Sequence, residues 1–148
     1  MKREFVEDES LAILAKKVAD EKKLTFLQHA RIKFILVAPY ISRAVHGKCI
    51  SAGDELKYFG NFDYLIEFSH DIWQEISDEV KYILMYHELL HVLPKENKSG
   101  MTFSIADHDV KDFGVILGEY GVKWFHDFKD QISARFDMSP EEKDKISL

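Results

Sequence analysis

The sequence predicts an α+β fold in one domain. The chain has 148 residues, the size of a single ordinary domain, and 46% of them are hydrophobic, which is enough to form a buried core. Apolar residues recur at helical spacing near the start and through the second half of the chain, and two strand patterns lie between them. Helices that are segregated from the strands in this order are typical of the α+β class.

The first part of the chain is predicted to contain a helix and a buried strand. Leu11, Leu14 and Val18 recur at helical spacing, which indicates an amphipathic helix over residues 10–22. Residues 32–37 are apolar and rich in β-branched side chains, and the run stops shortly before a proline. A short run of this kind is typical of a buried strand.

The middle of the chain combines a turn-rich stretch with a second strand. Glycine, serine and aspartate recur over residues 46–60, where we expect at most short strands. Apolar residues then alternate with more polar ones from Phe62 to Phe68, as in a strand with one face on the core. Residues 70–76 are interpreted as a connector.

The clearest predicted helix begins at residue 78. Ser77 is its predicted N-cap, and two acidic residues occupy the first turn, where the helix dipole favours negative charge. The helix is expected to end before Pro94, because the residue before a proline avoids the α region. Residues 95–100 are interpreted as a polar loop. The stripe of this helix at three/four spacing consists of Val80, Ile83, Leu84, His87 and His91.

Two more helices and a tail complete the predicted fold. One helix begins after Asp107 or His108 and stops or kinks at Gly121, and its buried stripe is Val110, Phe113, Leu117 and Tyr120. The last helix has the stripe Trp124, Phe128, Ile132 and Phe136. We therefore predict a single domain over residues 1–137, followed by a polar and flexible tail over residues 138–148.

The composition excludes several classes of protein. A formal net charge of −6 disfavours general nucleic-acid binding, because such a chain has no surplus of cations for the phosphates. No apolar run reaches the roughly 18–20 residues of a membrane span, and the first residues lack the apolar region of a secretory signal. Cys49 is the single cysteine, which excludes an internal disulfide and a multi-cysteine metal site. We expect a cytoplasmic protein, whose oligomeric state the sequence leaves open.

One motif, His-Glu-Leu-Leu-His at residues 87–91, carries recognisable chemistry. His87 and His91 are four residues apart, so both imidazoles lie on one side of a helix and can bind one ion. Glu88 lies about 60° further around the helix than His91, from the helix's ~100° per residue. Its carboxylate can therefore reach a water on the ion without being a ligand. This arrangement predicts a metal site with a general base beside it.

A catalytic zinc site needs a third protein ligand. The best candidate is His108, at the point where a loop enters the next helix and can aim a side chain back at the motif. The acidic residues Asp109, Asp112 and Glu119 are the rival ligands. Any of these acids that does not bind metal could instead orient a ligand imidazole by accepting its second N–H.

Several segments resemble the putative phage metallopeptidase family. They are His87 to His91, Asp107 to Phe113 and Tyr120-Gly121, with further likeness over Arg31 to Phe34 and Tyr64 to Trp73. The order of these motifs is more loosely similar to SprT-like metalloproteases. However, the chain has neither their cysteine-rich C-terminal zinc ribbon nor a basic surplus, so a DNA-repair role is not supported.

The resemblance implies a fold and a site. The fold would be a minimal zincin of the gluzincin-like type, in which a small twisted sheet packs on the active-site helix and further helices follow. His87, His91 and His108 would hold one zinc ion, and Glu88 would be the general base. Zincins also commonly bind extended substrate along the strand before the active-site helix. That strand would consist of Tyr64, Leu65, Ile66, Glu67 and Phe68; an ordinary core strand is the equal alternative.

The functional hypothesis is therefore a zinc metallopeptidase that acts on a peptide or protein. Zinc would lower the pKa of its water to about 7, and Glu88 would take the proton as the hydroxide attacks the carbonyl. One alternative is an inactive zincin-like binding module with a structural metal, although such a site would not need Glu88. Another is a zinc amidohydrolase that cleaves a non-peptide bond, which the sequence does not distinguish from proteolysis.

Overall fold

The structure, a computed structural model, describes residues 2–108 and 113–148. The predicted α+β class is confirmed: two small sheets are combined with several helices. In chain order the elements are β1 (Glu4–Val6), α1 (Glu9–Glu21), a 3-10 helix (Thr25–His29), β2 (Ile32–Ala38), β3 (Gly47–Ser51), α2 (Asp54–Gly60), β4 (Tyr64–Ser69), α3 (His70–Glu75), α4 (Asp78–Leu89), β5 (Val92–Asn97), β6 (Gly100–Ile105), α5 (Gly114–Tyr120), α6 (Lys123–Phe136) and α7 (Pro140–Asp144).

The main sheet has four strands in the order β1-β2-β4-β3. Strand β4 pairs in parallel with β2 and antiparallel with β3, and β1 pairs antiparallel with the outer side of β2. The alternation predicted around residues 62–68 is confirmed, because Tyr64, Ile66 and Phe68 are fully buried while Leu65 and Glu67 are half-buried. This face of the sheet supplies the core against which the helices pack.

Helix α4 begins as the sequence predicts and passes through the core. The Ser77 hydroxyl accepts a hydrogen bond from the Val80 N–H, which confirms the predicted N-cap. All seven residues from Ile83 to Leu89 are buried. The helix ends earlier than predicted, at Leu89, so that His91 lies in a tightened turn in which its N–H is 3.2 Å from the Glu88 carbonyl oxygen.

The polar loop predicted over residues 95–100 is wrong, because these residues belong to a β-hairpin. Strand β5 pairs antiparallel with β6, and Pro94 lies inside β5 opposite Phe103. The Tyr64 hydroxyl donates a 2.7 Å hydrogen bond to the Ser104 carbonyl and so attaches this hairpin to the main sheet. The hairpin reverses the chain and returns it to the end of α4.

Two short helices replace other predicted irregular segments. The turn-rich stretch contains β3 and then α2, and the predicted connector over residues 70–76 contains α3.

The helix predicted to begin near His108 is α5, which begins at Gly114. Val110, which belongs to its predicted stripe, lies outside the described residues. Gly121 ends α5 as predicted, with a φ of 69° that favours glycine.

The C-terminal segment that we predicted to be a flexible tail is instead packed on the rest of the molecule. Ser139 and Glu142 form a capping box at the start of α7, which satisfies the first N–H groups of that short helix. Beyond it, Ile146 is only 2% exposed, and its burial attaches the end of the segment to the core. Among the residues that the structure describes, no helix has the length and apolarity that a membrane crossing needs.

Candidate metal centre and active site

Three histidine side chains meet at the end of α4. The Nε2 atom of His108 lies 2.8 Å from Nε2 of His87 and 2.9 Å from Nε2 of His91. In the described part of the chain these three residues form the one group of ligand-type side chains that could hold a metal ion. His87 is fully buried, and His91 is nearly so.

The β-hairpin is the element that brings His108 to the other two histidines. The Val92–Ile105 pair is the last one of its ladder, and the Ala106 N–H extends the pairing by donating a 2.7 Å hydrogen bond to the His91 carbonyl. His108 therefore lies only two residues after Ala106, the residue that is hydrogen-bonded to His91. His91 and His108 are 17 residues apart in the sequence, and the hairpin brings them together in space.

The backbone also fixes which nitrogen of His91 faces the other rings. His91 Nδ1 lies 2.6 Å from the Ala106 carbonyl oxygen, which can only accept, so Nδ1 is the protonated nitrogen. Burial lowers the pKa of His91 to about 4, so the ring is neutral at pH 7. Its Nε2 therefore presents a lone pair to the cluster, which is how a metal-ligand histidine is commonly oriented.

The three side chains fit a divalent transition metal. Imidazole nitrogens bind zinc at about 2.0–2.1 Å, so two nitrogens 2.8 or 2.9 Å apart can both reach one ion. Neutral imidazole is also a ligand type that such metals accept readily. Three protein ligands leave a further position open, which distinguishes a catalytic site from a closed structural one.

An aromatic ring closes one side of the cluster. The centroid of the Phe113 ring lies 5.3, 5.0 and 5.4 Å from the centroids of His87, His91 and His108, and all three contacts are edge-type. Phe113 is the N-cap residue of α5, and Ile116 in the next turn is fully buried, so α5 holds the ring in place. The sequence pattern places Phe113 on a helix stripe and gives no sign of this contact.

Glu88 and His91 line the same cavity, which has a volume of about 470 Å³. Glu88 is fully buried, and Gly47 at the start of β3 lies directly against its carboxylate: a Cβ at position 47 would be 3.0 Å from Glu88 Oε1. Cys49 lines the cavity as well. Burial and the neighbouring Glu88 carboxylate raise the pKa of the Cys49 thiol, so the thiol is protonated at pH 7.

Of the three acidic residues that were alternative candidates for the third ligand, the structure describes only Glu119. Glu119 does not join the histidines: it pairs with Lys22 and accepts a hydrogen bond from the Tyr86 hydroxyl at 3.3 Å. The Lys22 ammonium also lies over the rings of Tyr86 and Tyr120, so this cluster attaches α5 to α1 and α4. The rivals Asp109 and Asp112 lie outside the described residues.

Of the two interpretations of residues 64–68, the substrate-binding edge strand is wrong and the ordinary core strand is confirmed. Tyr64, Leu65, Ile66, Glu67 and Phe68 belong to β4, which is a central strand because β2 and β3 occupy its two edges. Its main-chain groups are therefore already paired. Within the described residues, β3 is the edge strand on that side, and it pairs with β4 alone. Its first residues, Gly47 to Cys49, line the cavity that contains Glu88.

Comparison with known sequences identifies the family. The profile of the putative phage metallopeptidase family matches residues 3–133 of the 148. The chain belongs to this family. No curated protein matches the chain, and neither does any solved structure.

Family membership agrees with the site's chemistry at a coarse level. A metallopeptidase family implies a bound metal and a peptide or protein substrate. The segment that matches the putative phage metallopeptidase family includes the three histidines, Glu88 and the edge strand β3, whereas residues 134–148 lie beyond it.

Proposed function

We propose that this protein is a zinc-dependent metallopeptidase whose ion is held by His87, His91 and His108. The observation that carries the proposal is the convergence of the three Nε2 atoms, at 2.8 and 2.9 Å, beside a cavity that Glu88 also lines. When bound, zinc would supply Lewis acidity, which polarises a carbonyl group and lowers the pKa of water.

Glu88 is the general base of the proposed reaction. Its carboxylate accepts a proton from the attacking water while the water oxygen bonds to the peptide carbonyl carbon. It then gives that proton to the leaving amine as the C–N bond breaks. The Gly47 Cα lies beside the carboxylate, and the absence of a side chain there leaves room for Glu88 in the cavity.

The edge of β3 is the proposed docking site for the substrate backbone. An extended peptide can add to an exposed strand edge through main-chain hydrogen bonds, which recognise peptide without requiring a particular sequence. Strand β3 begins at the cavity and is the sheet edge nearest to Glu88. A peptide aligned there has its main chain beside the histidine cluster.

The variant Glu88→Gln tests the role of the carboxylate. It is expected to bind one zinc per chain with unchanged affinity and to lose peptide hydrolysis by about 10²–10⁴-fold, the usual contribution of a general base. Glu79→Gln is the matched control, because Glu79 is an exposed acid in the first turn of the same helix. Zinc content and the turnover of a quenched peptide library are the two measurements.

Each alternative function has its own result in this experiment. If zinc is bound but Glu88→Gln turns over peptides as fast as Glu79→Gln does, Glu88 is not the base. If the unmodified protein binds zinc and hydrolyses no peptide but does hydrolyse small amides, the amidohydrolase alternative replaces the peptidase. A zinc-binding protein with neither activity is the structural-metal module.

A further inference from the structure

Helix α5 contacts the histidine cluster at one end and the lysine that caps α1 at the other. Its N-cap residue, Phe113, lies with its ring centroid 5.0–5.4 Å from the centroids of all three histidine rings. In its last turn, the Glu119 carboxylate forms an ion pair with the Lys22 ammonium. Seven residues of helix are only about 10 Å long, so a shift at one end of α5 moves the other end as well.

The ion pair lies among tyrosine rings. The Lys22 nitrogen is 5.7, 5.4 and 5.3 Å from the ring centroids of Tyr82, Tyr86 and Tyr120. A cation within about 6 Å of a ring centroid is attracted to the face of the ring. The first two tyrosines belong to α4 and the third belongs to α5. The Lys22 charge therefore links α5 to α4, the helix that carries His87.

The Glu119 carboxylate also bonds directly to α4. Its Oε2 atom pairs with Lys22, and its Oε1 atom accepts a 3.3 Å hydrogen bond from the Tyr86 hydroxyl. Tyr86 is 3% exposed and directly precedes His87, the first histidine of the cluster. Both oxygens of one carboxylate thus hold the last turn of α5 against the buried part of α4.

We propose that Lys22 and Glu119 are positioning residues for the metal centre. They hold α5 against α4, and α5 in turn holds the Phe113 ring against the three imidazoles. Removal of the charge from Lys22 therefore lets the ring move relative to the histidines. The proposal rests on the proposed function for the identity of the ion, but the connection between the ion pair and the histidine cluster can be tested without a metal.

Two variants remove the ion pair and two others are their controls. Lys22→Met and Glu119→Gln each lose one charge with little change in side-chain size. Lys22→Arg keeps the cation and should restore the unmodified behaviour, and Lys16→Met removes an exposed cation from α1. The Lys22 N–H bonds the Val18 carbonyl at 2.9 Å through the main chain, so this cap of α1 is retained in every variant. Thermal unfolding checks that each variant is folded.

The chemical shifts of the histidine ring C–H groups in the metal-free protein report the position of the Phe113 ring, because its ring current acts on nearby protons. We expect the resonances of the three histidines to shift in Lys22→Met and in Glu119→Gln. They should stay unchanged in Lys22→Arg and in Lys16→Met. Unchanged histidine resonances in both folded variants that lack the ion pair would overturn the proposal.

Zinc affinity, measured by competition with a chelator, is the second test. Lys22→Met should weaken zinc binding by about three-fold, a factor within the range of one partly exposed ion pair. In the Phe113→Ala background Lys22→Met should cause no further loss, because the ring through which it acts is gone. An equal loss in both backgrounds, or a lower Tm of Lys22→Met with unchanged zinc affinity, would overturn the proposal. If the unmodified protein binds no zinc, the proposed function is refuted, while the histidine resonances still decide the role of the ion pair.

Discussion

Replacement of Gly47 by alanine tests how closely Glu88 must be positioned. Gly47 pairs with Phe68, and its missing side chain would point at the Glu88 carboxylate. The new methyl carbon would lie 3.0 Å from Oε1, whereas ordinary contacts at such a carbon are 3.4–4 Å. The carboxylate must therefore move by about 0.4 Å. The three atoms nearest to the new methyl carbon belong to Glu88 and Phe68, so the geometry of the three histidines is expected to be unchanged.

The size of the effect follows from that displacement. A misplacement of about 1 Å in a reacting group can cost about 10²-fold in rate. If the loss scales logarithmically with distance, 0.4 Å corresponds to about a five- to ten-fold decrease in kcat/KM. Zinc affinity should stay within about two-fold, because Glu88 is not among the ligand atoms in the proposed site.

Peptide turnover and zinc affinity are measured for Gly47→Ala and for Gly53→Ala. Gly53 is the matched control, since a Cβ at that position would have nothing within 4 Å. The proposed positioning of Glu88 by Gly47 is refuted if both variants have the same kcat/KM, or if Gly47→Ala loses zinc affinity in proportion to its activity. The first result would mean that Glu88 need not be positioned by Gly47, and the second that Glu88 contributes to metal binding.

Three further predictions concern the surroundings of the site. Phe113→Ala should weaken zinc binding by about ten-fold, because the ring supports all three imidazoles. Tyr64→Phe should destabilise the fold by about 1 kcal/mol through loss of the hydrogen bond to Ser104, measured as a lower Tm. Burial lowers the pKa of His46 to about 4, whereas the pKa of histidine in the unfolded chain is about 6.5. The neutral ring therefore stabilises the fold above pH 6.5, and this stabilisation is lost as the pH falls towards 4. The loss is about 2 kcal/mol at pH 5, measured as the free energy of unfolding.

Each of these predictions has a comparison variant. Ile116→Ala removes a buried side chain from the same helix as Phe113 and should unfold more easily without a matching loss of zinc affinity. Tyr58→Phe alters an exposed tyrosine and should leave the Tm unchanged. His46→Gln lacks the titrating ring, so its stability should fall less between pH 7 and pH 5. If the free energy of unfolding falls equally with pH in His46→Gln and in the unmodified protein, His46 is not the source of the pH dependence.

The sequence predicts well those parts of the fold that depend on local periodicity. The Ser77 cap of α4 and the alternation that buries Tyr64, Ile66 and Phe68 both follow from the residues themselves. The spacing of His87 and His91 likewise brings their ring centroids to within 5.1 Å of each other. These features need only the neighbouring residues of one element.

The errors concern segments whose structure depends on distant contacts. Pro94 suggested the end of a helix, but it is also tolerated in a strand of a two-stranded sheet, where one edge needs no donor. The alternation of Met101, Phe103 and Ile105 after a Ser99-Gly100 turn was the available signal for the hairpin. Strand order has no such local signal, because the crossover that makes β4 central depends on how β2 and β3 pair around it.

The packing of the C-terminal segment is likewise invisible to a local pattern. Residues 138–148 are mostly polar, and the predicted flexibility followed from that composition. The burial of Ile146 and the hydrogen bond from the Ser147 N–H to the Ala44 carbonyl help to place the segment, and Ala44 lies far away in the sequence. The periodicity of a local sequence does not predict that remote elements will bury one of its side chains.

Anomalous diffraction at the zinc absorption edge, from crystals of the zinc-loaded protein, tests the proposed metal site most directly. We expect one peak per chain, about 2.0–2.1 Å from the Nε2 atoms of His87, His91 and His108, with Glu88 beyond bonding distance of the ion. A peak ligated by a carboxylate in place of His108, or no peak at the three histidines, would contradict this expectation.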